Sequence, residues 1–357
     1  MKNIAIIMAG GVGERFWPMS KINKPKQFLN LINPNKSMIQ LTIERISMII
    51  SFEDIYVITN EQYEEIIYNQ LSMLPKENII LEPSSKNTAP CIALATAIIK
   101  KKYTDANVIV LPADHDIKNT DLFVDSLKLA ISNITYKNII TLGIVPTRIE
   151  TGYGYIKLGK HLEKNNIYKV DKFTEKPKYD IAKKYYESGK YLWNSGMFIW
   201  RNSYIEQCIK EYIPELYTKI QKISKKIDTE DFDYILKREY EKITPISIDY
   251  GIMEKTPNIL VIPSNFGWDD VGSWLSIERL NKKDENSNIL SGEIISIKSE
   301  NNIVINNRKD MLITTLGTKN LIIISSENNI MILNKENIDD IKSLVNEVKN
   351  NKKNYYL

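Results

Sequence analysis

Three short apolar runs punctuate the first third of the chain: Ile4 to Met8, Ile55 to Thr59 and Val108 to Leu111. Each is rich in Ile and Val and too short for an ordinary helix, so each is predicted to be a strand. Between them, from Ser37 to Ile49 and from Ala89 to Lys101, apolar positions recur at helical spacing. Strands alternating with amphipathic helices predict βαβ units, that is, a Rossmann-like α/β fold with a mixed, mostly parallel sheet and helices on both faces. Ligands of such sheets bind beyond the carboxyl ends of the strands. The residues after Met8, Thr59 and Leu111 are therefore the first place to look for chemistry.

From Tyr204 to Tyr240 the pattern is helical and charged, without catalytic spacing, and reads as scaffold. The character changes after about Asn286. Glu293 to Ile297, Ile303 to Ile305, Leu312 to Leu316, Leu321 to Ile324 and Ile330 to Leu333 are predicted strands, followed by a helix over Ile338 to Val348. The expected organisation is thus a catalytic domain over residues 1–285 and a small β-rich domain over 286–357. Periodicity leaves stacked β-coils and a small antiparallel sheet equally open for the second.

Composition narrows the class of protein. With 48 Lys and Arg against 44 Asp and Glu, the net charge is +4, and the lysines are scattered among Asn and Ile instead of forming a stripe. Nucleic acid is not an expected partner, and the basic tail at Lys349 to Lys353 reads as a solvated helix end. No apolar run approaches the roughly 20 residues that span a bilayer, and the run from Met1 to Val12 lacks a cleavage pattern. No membrane association is expected. Cys91 and Cys208 are too few for a disulfide framework, which fits a cytoplasmic location.

The chemistry-bearing segments lie where the strands end. Gly10-Gly11-Val12-Gly13 follows the first strand, so backbone N–H groups can approach an anion closely. Arg15 comes next and Lys26 follows in Lys24-Pro25-Lys26-Gln27-Phe28. No Gly-x-x-x-x-Gly-Lys-Ser/Thr occurs, and Phe16 stands where a dinucleotide fold needs a third small residue, so the loop is neither kind of standard phosphate binder. The third strand ends in Leu111-Pro112-Ala113-Asp114-His115. Asp114 is as well suited to capping the next helix as to sharing Mg²⁺ with substrate phosphates; His115 reads as structural. In Trp268-Asp269-Asp270-Val271-Gly272-Ser273-Trp274, carboxylates set between tryptophans call for a paired or metal-bound state, and Asp270 is favoured as a second Mg²⁺ ligand. Thr151-Gly152-Tyr153-Gly154-Tyr155, Glu175-Lys176-Pro177 and Trp193-Asn194-Ser195-Gly196-Met197-Phe198 combine the carboxylates, amides, glycines and aromatic faces that carbohydrate sites use.

Gly10-Gly11-x-Gly13-x-Arg15-x-Trp17-Pro18-x-Ser20, followed by Pro25-Lys26-Gln27-Phe28, resembles the signature of bacterial mannose-1-phosphate guanylyltransferases of the monofunctional type. Glu82-Pro83 with Asn87-Thr88-Ala89-Pro90, Phe173 to Pro177, Asn194 to Phe198, Ser247 to Lys255 and Gly267 to Trp274 extend the likeness, in order, over about residues 1 to 280. Lys21, where the family usually has Arg, and Asp269, often a small polar residue, depart from it. The resemblance implies transfer of GMP from GTP to α-D-mannose 1-phosphate, with Mg²⁺, or Mn²⁺ in its place, held by Asp114 and Asp270. It implies base recognition near Ala9, Gly10 and Glu82 to Thr88, phosphate binding by Gly11, Gly13, Arg15 and Lys26, and sugar-phosphate binding by Gly154, Glu175, Lys176 and Asn194. Asp249 either orients the sugar-binding groups or caps the turn at Tyr250-Gly251. A β-helix-like C-terminal module and a homodimer are expected. The isomerase of bifunctional relatives needs several histidines; with only His115 and His161 in the chain, that activity is not expected.

Two polyanions meeting in one site repel by about 4 kcal/mol per unit-charge pair at 4 Å and an effective dielectric near 20. Several cations are therefore required, and Arg15, Lys26, Lys176 and Mg²⁺ are the candidates. A transferase for another hexose 1-phosphate remains the alternative. A non-catalytic nucleotide-sugar sensor would not need Arg15, Lys26, Asp114 and Asp270 together.

Overall fold

The computed structural model describes every residue except Val12, Glu163 and Lys164, and the side chain of Asn354. Val12 of the glycine-rich loop thus lies outside the described residues. The chain forms two compact units, one built from Met1–Gly10, Thr42–Ala113 and Ile117–Trp268, the other from Gly11–Leu41, Asp114–Asp116 and Asp269–Leu357.

The first unit holds a nine-stranded mixed sheet. Its strands lie in the order Ile79–Glu82, Ile55–Asn60, Lys2–Met8, Ala106–Pro112, Tyr191–Arg201, Ile139–Ile144, Ile259–Ser264, Ile167–Thr174 and Tyr155–Leu162. The first four are mutually parallel, as are Ile139–Ile144 and Ile259–Ser264. Tyr191–Arg201 runs antiparallel to both of its neighbours, and the last two strands pair antiparallel with each other. Successive side chains of a strand point to opposite faces, yet Ile4, Ala5, Ile6 and Ile7 are all fully buried. Both faces of the sheet are therefore covered, which is why these strands read as unbroken apolar runs. One cover is a helix group, Thr88–Lys102, Asn202–Tyr212, Pro214–Ser224 and Phe232–Glu241, whose members pack on one another. Thr120–Asn133 packs instead on Ile139–Ile144 and Ile259–Ser264.

In the second unit the β-rich region is a stack of coils. Ile289–Ser291, Ile303–Asn306 and Leu321–Ser326 pair in parallel, as do Ile294–Ile297 and Ile313–Leu316. Ile303 pairs with Ile322 and Ile294 with Ile313, each nineteen positions on, so successive turns of the chain lie over one another. Only the last strand, Asn329–Asn334, returns antiparallel. Polar rungs satisfy the interior of the stack: Asn302 Nδ2 donates to Asn288 Oδ1 at 3.2 Å, and Thr315 Oγ1 to Ser296 Oγ at 2.9 Å. The coil core (Ile303, Ile322, Ile324) continues into Phe16, Trp17 and Trp274, with Ile341 and Val345 of the helix Ile341–Asn350. The glycine-rich segment is thereby seated on the same apolar cluster as the coils.

Candidate active site

The phosphate-site candidates come together in the second unit. The segment Gly13 to Phe16, Lys26, Asp114 and Asp270 line one open cavity of about 390 Å³. Gly13 adopts φ +67°, and a β-carbon there would lie 2.6 Å from Lys26 Cβ and 2.7 Å from Lys26 N. Both the left-handed conformation and the close backbone approach require glycine at this position. Gly10 and Gly11 do not take positive φ; of the three loop glycines only Gly13 uses the freedom that the sequence suggested for all of them. Gly11 instead accepts a hydrogen bond from Gln27 Nε2 at 3.0 Å, tying the loop to the Lys26–Phe28 turn.

Lys26 is 6% exposed and doubly engaged: its Nζ lies 2.9 Å from Asp114 Oδ2 and donates to the Asp270 carbonyl oxygen at 2.6 Å. Burial pushes the Asp114 carboxyl up, but the neighbouring Lys26 and His115 charges and the Lys26 hydrogen bond outweigh it and hold the group below the usual carboxylate range. Asp114 is thus ionised at neutral pH. Asp270 Oδ1 accepts from Gly272 N at 3.1 Å, and Arg15 is exposed at the same cavity. The adjacent Asp269 is placed differently. Its carboxylate takes both Arg279 Nε (2.7 Å) and Nη2 (3.0 Å), and Val271 N at 2.8 Å, in a 5% exposed position. Asp269 holds the loop and Asp270 faces the cavity.

The sugar-site candidates converge in the first unit. Gly154 O accepts from Asn194 N at 2.8 Å, and Asn194 Nδ2 donates to Asp249 Oδ1 at 2.8 Å. Glu175 Oε1 pairs with Lys176 at 3.0 Å, whereas the buried Oε2 has no hydrogen-bond partner among the described residues. A β-carbon on Gly154 would stand 2.4 Å from that oxygen. Burial, and then the Glu175 charge, push the Asp249 carboxyl up to about 6. An orphaned acceptor beside an amide and a second carboxylate has the chemistry of a polyol site. Asp249 is thereby tied to Asn194, one of the residues expected at the sugar. Lys176, by contrast, is largely exposed and pairs with Glu175.

The base-site candidates also lie in the first unit. Glu82, 3% exposed, ends its strand beneath the loop: a β-carbon on Gly10 would lie 3.3 Å from Glu82 Oε2. Ala9 N donates to Ile58 O, and Thr59 Oγ1 to Ala9 O, both at 2.8 Å, fixing the end of the first strand. Asn87, at φ +70°, caps the Thr88–Lys102 helix, and Thr88 Oγ1 accepts from Ile248 N at 2.8 Å. Thr88 thereby fastens the segment that carries Asp249.

Residues 4–287 match the nucleotidyl transferase family, and residues 292–348 match the MannoseP isomerase/GMP-like beta-helix domain. A mannose-1-phosphate guanylyltransferase of Salmonella typhimurium is 40% identical over 362 residues, covering 100% of this chain and 74% of that protein. This chain belongs to the mannose-1-phosphate guanylyltransferase family. The Salmonella muenchen member is 38% identical, over 99% of this chain and 75% of that one. A Thermus thermophilus crystal structure, described as a mannose-1-phosphate geranyltransferase, superposes with a TM-score of 0.88 at 28% identity, covering 98% of this chain and all of that one. Nucleotidyl transfer and the β-helix module are thus those that the resemblance implied.

Two residues of these clusters escaped the sequence. Tyr240 donates a hydrogen bond to Glu82 Oε1 from a fully buried position, and Lys342 of the Ile341–Asn350 helix lines the phosphate cavity. Tyr240 ends the stretch read as scaffold, and Lys342 lies in the helix expected over Ile338 to Val348, to which no site role was given.

Proposed function

We propose that this guanylyltransferase transfers GMP from GTP to α-D-mannose 1-phosphate. A phosphate oxygen of the sugar phosphate forms a bond to the α-phosphorus of GTP, the bond from that phosphorus to the β-phosphate oxygen breaks, and pyrophosphate leaves. The carrying observation is the single cavity in which Arg15, Lys26, Asp114 and Asp270 meet on a glycine loop. Lys26, held by Asp114 and the Asp270 carbonyl, is a positioned cation for the triphosphate, and Arg15 offers a planar fork to a second phosphate. The incoming phosphate monoester is already a nucleophile, so these residues have to position and neutralise, and need not remove a proton. Glu175, Asn194 and Asp249 accept and donate to the sugar hydroxyls, and Glu82 with the Gly10 backbone reads the base.

Among the described residues no three His, Cys, Asp or Glu side chains cluster as a closed metal cage. Two carboxylates on one open cavity nevertheless suit a hard divalent ion that takes its remaining ligands from phosphates and water. Asp114 and Asp270 would hold Mg²⁺, which when bound neutralises phosphate charge and aligns the reacting groups. A homodimer is proposed for the assembly, supported by the apolar Ile295, Ile297, Leu312 and Leu316 that the coil module exposes. Light scattering of the full chain and of Leu316→Lys tests it, with a monomeric parent counting against it. No helix among the described residues is long and apolar enough to cross a membrane.

The deciding assay pairs GTP, UTP, dTTP and ATP with mannose, glucose and fucose 1-phosphates and follows pyrophosphate release. GTP with mannose 1-phosphate is expected to exceed every other pair by at least about 10-fold in kcat/KM, the scale set by site hydrogen bonds left unpaired in the wrong substrate. Faster turnover of another pair would replace this reading.

A further inference from the structure

We propose that Lys342, presented by the C-terminal helix, is a phosphate-binding residue of the transfer site, so that the coil module supplies part of the active site. The inference rests on reading the cavity as a triphosphate site and adds a residue to it from a part of the chain that otherwise reads as structural.

The placement follows from the helix. Ile341 and Val345, one turn apart, enter the apolar cluster that contains Phe16 and Trp17, and the helix packs directly on the Glu14–Phe16 turn. Lys342 and Lys349 are seven residues apart, two turns, and so lie along one side of the helix about 10 Å from each other. Lys349 Nζ reaches Glu14 Oε1 at 3.3 Å, which anchors that side against the loop. Two turns nearer the helix start, Lys342 borders the same cavity as Gly13, Arg15, Lys26, Asp114 and Asp270.

Its state differs from that of Lys26. Lys26 is spoken for by Asp114 and the Asp270 carbonyl. Lys342 is exposed and has no ion pair or hydrogen bond among the described residues. A flexible ammonium at the mouth of a cavity already carrying Arg15 and Lys26 adds a mobile point charge, suited to a terminal phosphate whose position changes as pyrophosphate departs. It also ties nucleotide affinity to the seating of the helix.

The test uses the full chain and steady-state kinetics at fixed ionic strength, with Lys342→Gln, Lys342→Arg, Lys26→Gln and Lys353→Gln made in parallel. Lys342→Gln is expected to lower kcat/KM for GTP by about 10-fold, the scale of one charge-assisted phosphate contact, and to weaken inhibition by added pyrophosphate by a similar factor. KM for mannose 1-phosphate and the unfolding temperature should be unchanged. Lys342→Arg should recover most of the loss, and Lys353→Gln, which removes a tail charge of the same sign, should match the parent. If Lys26→Gln is impaired while Lys342→Gln stays within twofold of the parent, the role of Lys342 is overturned and the cavity reading stands. If Lys26→Gln is also unimpaired, the cavity is not the triphosphate site and both fall.

Discussion

The phenol of Tyr240 donates a hydrogen bond to Glu82 Oε1, joining the end of a helix to the end of a strand inside the first unit. Both side chains are buried, and the other carboxylate oxygen lies on the Gly10 side, where a β-carbon would come within 3.3 Å of it. One oxygen is thus immobilised while its twin is presented to the loop. Burial raises the Glu82 carboxyl to about 7 despite the Tyr240 bond, which acts in the opposite direction. The buried Cys91 thiol, itself raised by burial and by the Glu82 charge, is the other titratable neighbour.

This pair predicts a pH signature. The unfolded carboxyl titrates near 4.5 and the folded one near 7, so between those values the folded chain binds more protons. Its stability contribution is full below about pH 4.5 and is lost as pH rises through about 7. Glu82→Gln removes that loss, so its stability relative to the parent should grow by up to about 3 kcal/mol from pH 4.5 to 7.5. Tyr240→Phe should extend the window upward, because the bond that favours the ionised form is gone. Urea unfolding of the three proteins across pH 5 to 8 reads this directly. Parallel profiles for parent and Glu82→Gln would refute it.

Gly154 predicts a substitution that injures binding without injuring the fold. Its φ is not in the left-handed region, so alanine is compatible with the backbone. The added carbon would lie 2.4 Å from Glu175 Oε2, the far end of a flexible side chain, and 3.2 Å from Asn194 Cβ. The carboxylate must swing aside, which moves the orphaned acceptor out of the polyol site. Gly154→Ala should shift the unfolding temperature by no more than a few degrees, as expected for a change of about 1 kcal/mol or less. It should raise KM for mannose 1-phosphate by about 10-fold or more, with KM for GTP unaffected, a split expected of a lost hydroxyl contact. Unchanged sugar-phosphate KM would separate Glu175 from the substrate.

The sequence was most readable where burial set the pattern and least where the site did. Lys2–Met8, Ile55–Asn60 and Ala106–Pro112 show as apolar runs because both faces of the sheet are covered. Tyr191–Arg201, a central strand, does not: Asn194, Ser195 and Gly196 interrupt its apolar run, and Asn194 is committed to Asp249. Polar residues with partners outside the strand break the apolar pattern there. Strand spacing alone left coils and an antiparallel sheet open, since it is the same for both; the family resemblance pointed to coils, and the parallel pairing of Ile303 with Ile322 shows them. The motifs singled out Asp114, Asp270, Glu175 and Asn194, and the structure brings the first two to one cavity and the last two to one cluster. Lys342 and Tyr240 gave no signal, being an ordinary lysine and tyrosine of amphipathic helices until packing placed them.

Adjacent aspartates offer the sharpest separation of structure from chemistry. Asp269 receives two hydrogen bonds from Arg279 and one from Val271 N while nearly buried. Asp269→Asn removes the charge from a bidentate ion pair, leaving the guanidinium its bond to Ser276 Oγ at 2.9 Å without the carboxylate. Because Arg279 is about a third exposed, solvent offsets part of the loss, and a destabilisation of about 1–3 kcal/mol is expected, below the range for fully buried pairs. Asp270 Oδ1 accepts from the Gly272 backbone and the residue lines the cavity, so Asp270→Asn should cost less stability than Asp269→Asn. Turnover should respond in the reverse order. Asp270→Asn is expected to lose roughly 100-fold or more in kcat, the scale of a missing transition-state electrostatic contact, and to need more Mg²⁺ for half-maximal rate. Asp269→Asn, assayed well below its unfolding temperature, should lose much less, because its carboxylate holds the loop without facing the cavity. Thermal unfolding and a Mg²⁺ titration of both variants separate the roles, and near-parental turnover of Asp270→Asn at limiting Mg²⁺ would remove that residue from the reaction.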